Sequence, residues 1–330
     1  MRISKKLLVV VLLAAVAGTV LATTNLIGQC PPPVLQKVKD TGVIKVGMRE
    51  AARPFAYIDE QGNHVGFSVD MAYLLVQKLS EYAGRAVKIT PITVTPKTRI
   101  PLVVNGTVDV EMGSTTHTAP REDVADFSLP FFLSQTMFMV RADSGIKTLQ
   151  DLNGKIVSSA RGTTNLKALQ DIIAKGIIKP KSLVIVETHA EGLLALETGK
   201  IDAYFTDQSL LMGLKMSAKH PEDFVIINES IHSEPYGWVM RENDSDWRDF
   251  VNNFLIWTLQ TPCSDELATL QKLNIVTECK DPNFTIFDAI YDKWMGPNSK
   301  VPLPRSTSFN DMLEGIQWPD VLEVWPTTKK

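Results

Sequence analysis

Short apolar runs alternate along the chain with longer segments whose apolar residues recur every three to four positions. Residues 43–48 and 203–207 have the composition and length of strands. Residues 70–83 carry apolar side chains at helical spacing, and so do residues 246–260. A single strand is also predicted over residues 236–240. Strands that alternate with helices predict an α/β fold whose sheets are largely parallel.

Polar side chains follow several of the predicted strands at their carboxyl ends. Arg49 follows the first strand, Ser114 and Thr116 follow the strand at 108–112, and Asp207 ends the strand at 203–207. Ligands of open α/β sheets bind beyond the carboxyl ends of the strands. These residues are therefore predicted to form one polar site from distant parts of the sequence.

The length of 330 residues and the apolar fraction of 44% suit a folded protein of two domains. The formal charge of −3 argues against nucleic acid as a partner, because phosphate binding requires a basic surface. The histidines do not show metal-ligand spacing, and no cofactor is expected. Any cationic binding site must be local.

The N-terminus has the pattern of a secretory signal. Arg2, Lys5 and Lys6 precede a largely apolar run over residues 7–22. Cleavage after Ala22 is predicted, which places the mature protein in the periplasm or outside the cell. An uncleaved membrane anchor and lipid attachment at Cys30 are the alternatives. Residues 23–39 are predicted to be a flexible leader.

The cysteines are Cys30, Cys263 and Cys279. Export places them in an oxidising compartment, where cysteines tend to pair. Cys263 and Cys279 are close enough in sequence to close a small loop, so a disulfide between them is predicted. Two free thiols are the alternative.

Several ordered motifs resemble the amino-acid solute-binding proteins of ABC importers, bacterial extracellular solute-binding protein family 3, and above all their glutamate/aspartate-binding branch. The similarity runs from about residue 40 to about residue 260 and resumes near residue 291. The motifs that carry it are Thr41-Gly42-Val43-Ile44-Lys45-Val46-Gly47, Pro54-Phe55-Ala56-Tyr57, Gly66-Phe67-Ser68-Val69-Asp70, Arg99-Ile100-Pro101-Leu102, Gly113-Ser114-Thr115-Thr116, Arg161-Gly162-Thr163-Thr164 and Pro235-Tyr236-Gly237.

The resemblance implies a periplasmic-binding-protein-like type II fold, in which two α/β lobes are joined by two crossing strands. Lobe one would comprise residues 34–133 and 239–330, and lobe two residues 138–233. The crossing strands would lie near 132–140 and 233–239. A ligand would bind between the lobes of a monomer, which would deliver it to the membrane subunits of an ABC transporter.

A free amino acid carries a carboxylate and an ammonium group, and both need partners when they are buried. By resemblance, Arg121 would bind the α-carboxylate with two parallel hydrogen bonds. Ser114, Thr116 and Thr164 would complete these contacts, and Asp207 would receive the α-ammonium. Taken singly, Arg121 could be a surface charge, Asp207 a helix N-cap, and the hydroxyl residues parts of turns.

The side-chain pocket would decide which amino acid binds. Arg49 stands where relatives that bind cationic amino acids carry an acid, and Arg99 and His189 match positions that hold the distal carboxylate in the glutamate/aspartate branch. An acidic ligand is therefore expected. Taken singly, Arg99 could be a helix-surface charge and His189 a structural hydrogen-bonding residue.

Some positions depart from the family pattern. Pro96 replaces a serine, Arg161 replaces a serine or glutamine, and Arg53 precedes Pro54-Phe55 where a small or apolar residue is usual. Residues 262–284 resemble an insertion, and they carry both Cys263 and Cys279. The full predicted ligand-binding set is Arg49, Arg99, Ser114, Thr116, Arg121, Arg161, Thr163, Thr164, His189 and Asp207.

Two other functions are compatible with the scaffold. Some relatives are secreted cyclohexadienyl dehydratases, which require a positioned general acid such as Asp207 or His189. An extracellular sensor or adhesin could bind the same ligand without a transporter. Because each candidate acid already has a binding role, a binding protein without catalytic residues is the prediction.

Overall fold

The computed structural model describes residues 32–316, and its first helix, α1, spans Val34–Thr41. Val34, Leu35 and Val38 are buried on one side of this helix, because residues about one turn apart share a face. Residues 34–39 belonged to both the predicted leader and the predicted first lobe, and they are helical and packed. The predicted signal sequence and leader residues 23–31 lie outside the described residues.

One sheet is built from β1 (Val43–Arg49), β5 (Lys88–Val94), β6 (Val110–Glu111), β7 (Asp126–Phe127) and β14 (Val239–Met240). The strand order is β5-β1-β6-β14-β7. β1 runs parallel to β5 and to β6, whereas β14 runs antiparallel to β6 and β7. The carboxyl ends of β1 and β6 therefore lie at the same edge of this sheet.

A second sheet is built from β8 (Phe132–Arg141), β9 (Ile156–Ala160), β10 (Ser182–Val186), β11 (Ala203–Asp207), β12 (Phe224–Ile226) and β13 (Ser233–Tyr236). The order is β10-β9-β11-β8-β12, and β13 also pairs with β8. β9 is parallel to β10 and β11, and β8 is antiparallel to β11, β12 and β13. This mixed α/β architecture agrees with the predicted class. The prediction that the sheets are largely parallel is wrong, because β8 and β14 run antiparallel to every strand that they pair with.

The remaining elements are a small antiparallel sheet and a set of helices. The sheet contains β2 (Ala51–Ala52), β3 (Ala56–Ile58) and β4 (His64–Val65). The helices after α1 are α2 (Phe67–Ala83), α3 (Arg99–Val104), α4 (Ala119–Glu122), α5 (Thr164–Ala174), α6 (His189–Glu197), α7 (Gln208–Lys215), α8 (Ser245–Gln260), α9 (Leu267–Lys272), α10 (Ile286–Met295) and α11 (Thr307–Gly315), with short 3₁₀ turns at Ala142–Ser144, Leu149–Leu152, Pro221–Asp223 and Cys263–Glu266. Within residues 32–316, none of the helices has the length and apolar character needed to cross a membrane.

The two large sheets are connected by an antiparallel strand pair. The first residues of β8 pair with β13, from Phe132 opposite Tyr236 to Gln135 opposite Ser233. The single strand predicted over 236–240 is wrong, because Gly237 and Trp238 separate β13 from β14. The Trp238 N–H instead donates to Ser128 Oγ at 2.9 Å, and the chain crosses from one sheet to the other at this point.

Aromatic side chains fill the core beside this connection. Phe55 contacts Phe132 and Tyr236 edge-on, with ring centroids 4.8 and 5.3 Å apart, and Phe131 stacks on Trp238 at 4.8 Å. These rings are almost completely buried. Offset and edge-on pairs stabilise a core by about 0.5–1.5 kcal/mol each beyond the burial of their area. The strand pair is therefore packed against a buried aromatic core next to the first sheet.

A disulfide joins Cys263 and Cys279, with Cα atoms 5.9 Å apart. Cys263 lies at the start of the 3₁₀ turn and is buried, while Cys279 follows α9 and packs against the same core. The predicted pairing of these two cysteines is therefore present in the structure.

Removal of the disulfide is expected to destabilise the protein. The cysteines are 16 residues apart, and the Cys263→Ser/Cys279→Ser variant should lose about 3 kcal/mol of unfolding free energy because the unfolded chain gains freedom. Urea unfolding of this variant and of Cys30→Ser, which keeps the pair, measures the difference. Labelling of both cysteines by a thiol reagent in the unreduced, denatured protein would contradict the pairing.

Candidate functional site

Arg49 occupies the end of β1 and is buried. Its Nε has no hydrogen-bond partner among residues 32–316. The side chain passes over Gly113, where an added Cβ would lie 2.8 Å from Arg49 Cγ and would collide with Glu111 Oε1. Gly113 thus leaves room for the guanidinium at the carboxyl edge of the first sheet.

Arg99 reaches the same edge from the first turn of α3. It is buried, and its Nη1 donates to Thr115 Oγ1 at 2.6 Å and to the Ser114 carbonyl at 3.3 Å. Its Nε is also buried without a partner in the described part of the chain. The helix-surface interpretation of Arg99 does not fit this burial.

Two buried guanidiniums perturb each other. Burial, and then the charge of Arg99, lower the pKa of Arg49 to about 9. Burial lowers the pKa of Arg99, while nearby carboxylates oppose that change. Both groups carry a positive charge at neutral pH, so the pair is an electrostatically costly arrangement that an anion would relieve.

His189 begins α6 on the side of the second sheet, and it is buried. Its Nδ1 lies 2.8 Å from the Tyr204 hydroxyl. Burial, followed by the charges of Arg49 and Arg99, lowers the pKa of His189 well below its usual range. The ring is therefore neutral, and a tautomer that accepts the Tyr204 proton at Nδ1 leaves Nε2–H as a donor. The structure thus brings together the three residues of the predicted side-chain pocket.

Asp207 ends β11 and is buried. Its Oδ2 accepts from the Tyr236 hydroxyl at 2.6 Å, and its Oδ1 accepts from Asn165 Nδ2 at 3.2 Å. Asp207 holds the N-cap position of α7, but its side chain makes no capping hydrogen bond. The carboxylate is therefore held by these two side chains rather than by the helix end.

A second buried carboxylate, Glu234, was not predicted from the sequence. Thr164 Oγ1 donates to it at 2.8 Å and His232 Nε2 at 2.6 Å. Burial raises the pKa of Glu234, but the hydrogen bonds from His232, Thr116 and Thr164 outweigh burial and lower it overall. The only sequence signal was its position two residues before Tyr236, which places both side chains on one face of β13.

Arg121 connects the two halves of the molecule. Its Nη1 donates to the Thr116 carbonyl at 2.6 Å and its Nη2 to the Gly162 carbonyl at 3.2 Å. Burial, and then Arg99, lower its pKa to about 9. The hydroxyls of Thr116 and Thr164 lie 3.3 Å apart across the same junction. Ser114 is close by and buried, and its Oγ has no partner among the described residues.

Two predicted residues have other roles in the structure. Arg161 Nε pairs with Glu187 Oε1 at 2.7 Å, and the two side chains are 45% and 51% exposed, so the pair lies at the surface. Thr163 caps α5, because its Oγ1 accepts from the Leu166 N–H at 3.0 Å. The structure does not bring Arg161 together with Arg49 and Arg99.

Glu111 is a second buried carboxylate of this region that was not predicted from the sequence. It ends β6 and is completely buried, and its Oε2 accepts from Thr115 Oγ1 at 2.6 Å. Its Oε1 has no partner within residues 32–316. The predicted strand at 108–112 places Glu111 one residue before its carboxyl end. A single acid near a strand end does not by itself indicate a ligand site.

The junction between the two sheets therefore has a cluster of polar residues with two poles. One pole contains the guanidiniums of Arg49 and Arg99 with neutral His189, and the other contains the carboxylates of Asp207 and Glu234. Arg121 and the threonine hydroxyls lie between the halves. Charges of both signs in one buried cleft are suited to a small ligand that carries both signs.

The family model for bacterial extracellular solute-binding proteins, family 3, matches residues 44–269. The match covers more than half of the chain, and the chain belongs to this family of binding proteins. The predicted family and the two-lobed, type II α/β fold are thereby confirmed. The family and its named relatives are binding proteins, so the dehydratase alternative has no support here.

Two relatives illustrate the similarity. The chain is 34% identical to the L-glutamate/L-aspartate-binding protein of Pseudomonas aeruginosa over 257 residues, which cover 76% of this chain and 82% of the relative. It is 30% identical to the glutamate/aspartate import solute-binding protein of Escherichia coli over 256 residues, which cover 77% and 83%.

Solved structures share the fold. A periplasmic binding protein from Brucella ovis with glutathione bound superposes with a TM-score of 0.72 at 23% identity, covering 84% of this chain and 95% of that one. The holo form of ArgBP from T. maritima gives a TM-score of 0.60 at 28% identity, covering 72% and 98%.

Proposed function

We propose that this protein binds an acidic amino acid, glutamate or aspartate, between its two lobes and delivers it to an ABC importer. The relatives named for glutamate and aspartate support the ligand. The proposal includes export from the cytoplasm, a monomeric state, and the boundaries predicted above. These are 34–133 with 239–330 for lobe one, 138–233 for lobe two, and hinge strands near 132–140 and 233–239.

The main support for the proposal is the pair of buried, like-charged guanidiniums of Arg49 and Arg99, whose Nε atoms have no hydrogen-bond partner within residues 32–316. A buried donor without a partner costs about 1–3 kcal/mol. A side-chain carboxylate between Arg49 and Arg99 would accept from both groups and offset their repulsion. His189 Nε2–H would add a neutral donor. A cationic side chain would be repelled, and a neutral one would supply no counter-charge.

The opposite pole is suited to the part of the ligand that all amino acids share. Asp207 is proposed to receive the α-ammonium, and Glu234 adds a second negative charge nearby. Arg121 is proposed to bind the α-carboxylate with the N–H groups that its two backbone contacts leave free. Ser114 Oγ, Thr116 and Thr164 supply further hydrogen bonds.

Ligand affinity is expected to fall below about pH 7. Burial, and then the charge of Glu234, raise the pKa of Asp207 to about 7, although Tyr236, Asn165 and Arg99 oppose the shift. Below this pH the carboxyl holds a proton that must leave before it can pair with an ammonium. Affinity should therefore drop by up to about tenfold per pH unit. Calorimetric titrations between pH 5 and 8 measure this slope, and a flat profile would contradict it.

Gly213→Ala is expected to impair closure of the lobes. Gly213 lies on α7 beside the second sheet, and a Cβ there would collide with the carbonyl oxygen of Arg53, which lies next to β2. Affinity for every amino acid should fall by about tenfold or more, because the closed form becomes less populated. Gly315→Ala is the control, since nothing lies within 4 Å of a Cβ at that site. Equal affinities of the two variants would refute this role.

A panel of amino acids in a thermal-shift assay tests the proposed function. The protein is unfolded, freed of ligand, refolded, and then mixed with each amino acid in turn. A ligand that binds only the folded state raises the unfolding midpoint. Glutamate or aspartate should give the largest rise. A larger rise with lysine, histidine or an uncharged amino acid would refute the acidic pocket.

A further inference from the structure

Glu111 is a buried carboxylate in the cationic pole that the proposed binding scheme does not use. It is 0% exposed at the end of β6. A chain of two hydrogen bonds fixes it, since Arg99 Nη1 donates to Thr115 Oγ1 and Thr115 Oγ1 donates to Glu111 Oε2, each at 2.6 Å. These hydrogen bonds hold the Glu111 carboxylate next to Arg99, within the cationic pole.

The other oxygen of Glu111 faces Arg49 across Gly113. An added Cβ at Gly113 would collide with both Glu111 Oε1 and Arg49 Cγ, so the two side chains lie close together on the side of this glycine where a Cβ would project. Glu111 also acts on all three arginines of the cleft, because its charge raises the pKa of Arg49, Arg99 and Arg121 against the effect of burial. The Glu111 carboxylate therefore contributes to the electrostatic potential at the position proposed for the ligand side chain.

The charges at this pole leave a single net positive charge. Arg49 and Arg99 supply two positive charges, Glu111 supplies one negative charge, and His189 is neutral. A ligand side chain with one negative charge would neutralise the pole. A side chain with two negative charges would leave one buried charge uncompensated, which is strongly unfavourable in a closed site.

We propose that Glu111 is a specificity-determining residue that restricts the pocket to side chains of one negative charge and excludes dianionic amino acids such as phosphorylated ones. This inference rests on the proposed function. It assigns Glu111 a role in selection between anions, whereas Arg49 and Arg99 select anions over neutral and cationic groups.

The test is calorimetric titration with L-glutamate and O-phospho-L-serine at about pH 8, where a phosphate monoester with a second pKa of about 6 is dianionic. The quantity measured is the ratio of the two dissociation constants. Wild type should prefer glutamate. Glu111→Gln keeps the shape and adds one net positive charge, so the ratio should shift toward phosphoserine by about tenfold or more. Arg49→Met/Glu111→Gln restores the original net charge and should return the preference toward glutamate.

Glu60→Gln is the matched control, because it makes the same chemical change at an exposed position. An unchanged ratio in Glu111→Gln, with glutamate still bound by wild type, would overturn this inference alone. Failure of wild type to bind glutamate or aspartate would overturn both it and the proposed function.

If Glu111→Gln does not fold, wild type alone decides the question. At about pH 5 the phosphate group is a monoanion. The amino-acid head group is common to both ligands, so the pH effect at Asp207 cancels in the ratio. The preference for glutamate should weaken by about tenfold or more between pH 8 and pH 5. The same ratio at both pH values would overturn the inference.

Discussion

Arg49→Met is expected to lower the affinity for glutamate by about 100- to 4,000-fold, because loss of one partner of a buried charge pair costs about 3–5 kcal/mol. The affinity for glutamine should change far less, since its amide needs no counter-charge. Methionine keeps much of the side-chain volume, so Gly113 and Glu111 keep a neighbour of similar size. Calorimetric titration of wild type and variant with both amino acids measures the change in preference.

Arg248→Met is the control for this substitution. Arg248 is 40% exposed on α8, and its guanidinium makes long contacts of 3.7 and 3.8 Å to two carboxylates. It should bind glutamate as wild type does. A normal glutamate affinity in Arg49→Met would show that the side-chain carboxylate does not bind at this arginine.

Asp207→Asn is expected to lower the affinity for every amino acid, acidic or neutral, by about 100-fold or more. The amide oxygen can still accept from the Tyr236 hydroxyl, whereas the amide nitrogen cannot accept from Asn165 Nδ2. The negative charge that is proposed to pair with the α-ammonium is also lost. The Asp207→Asn variant should therefore bind both glutamate and glutamine weakly, whereas Arg49→Met should lose affinity mainly for glutamate.

Asp143→Asn makes the same change at a side chain that is 86% exposed, and it should leave binding intact. The pH dependence of binding should also disappear in Asp207→Asn, because the titrating group is absent. Glutamine binding at wild-type strength in this variant would contradict the proposed ammonium site.

The strand ends were the most informative part of the sequence. Arg49 and Asp207 end buried strands, and the rule that α/β ligands bind beyond strand ends indicated a shared site before any contact was known. The family motifs added Arg99 and His189, which lie on helices and follow no such rule. All four are buried at the junction of the two sheets.

The glutamates of the site were harder to predict than Asp207. Glu111 is held by Thr115, and Glu234 is held by Thr164 and His232. Only the Thr164–Glu234 contact joins residues far apart in the sequence, but single-sequence patterns specify neither the local nor the distant side-chain hydrogen bonds. They equally gave no means to distinguish Arg161, which pairs with Glu187 at the surface, from the buried arginines.

Backbone detail also lay beyond the sequence pattern. Residues 236–240 form one uninterrupted apolar run, as a single buried strand would, yet the chain leaves β13 at Tyr236 and enters another sheet at Val239. The break depends on Trp238 packing against Phe131 and on its N–H bonding to Ser128. Neither partner is local in sequence, so periodicity alone could not locate the crossing.

A pair of calorimetric titrations of the ligand-free protein, one with L-glutamate and one with L-glutamine, tests whether the side-chain pocket requires a negative charge. The two ligands differ only in the charge and hydrogen bonding of the side-chain end. A pocket built on Arg49 and Arg99 should bind glutamate about 100-fold or more tightly than glutamine, with L-aspartate the alternative preferred ligand. Glutamine binding that equals or exceeds that of both acidic amino acids would contradict the account.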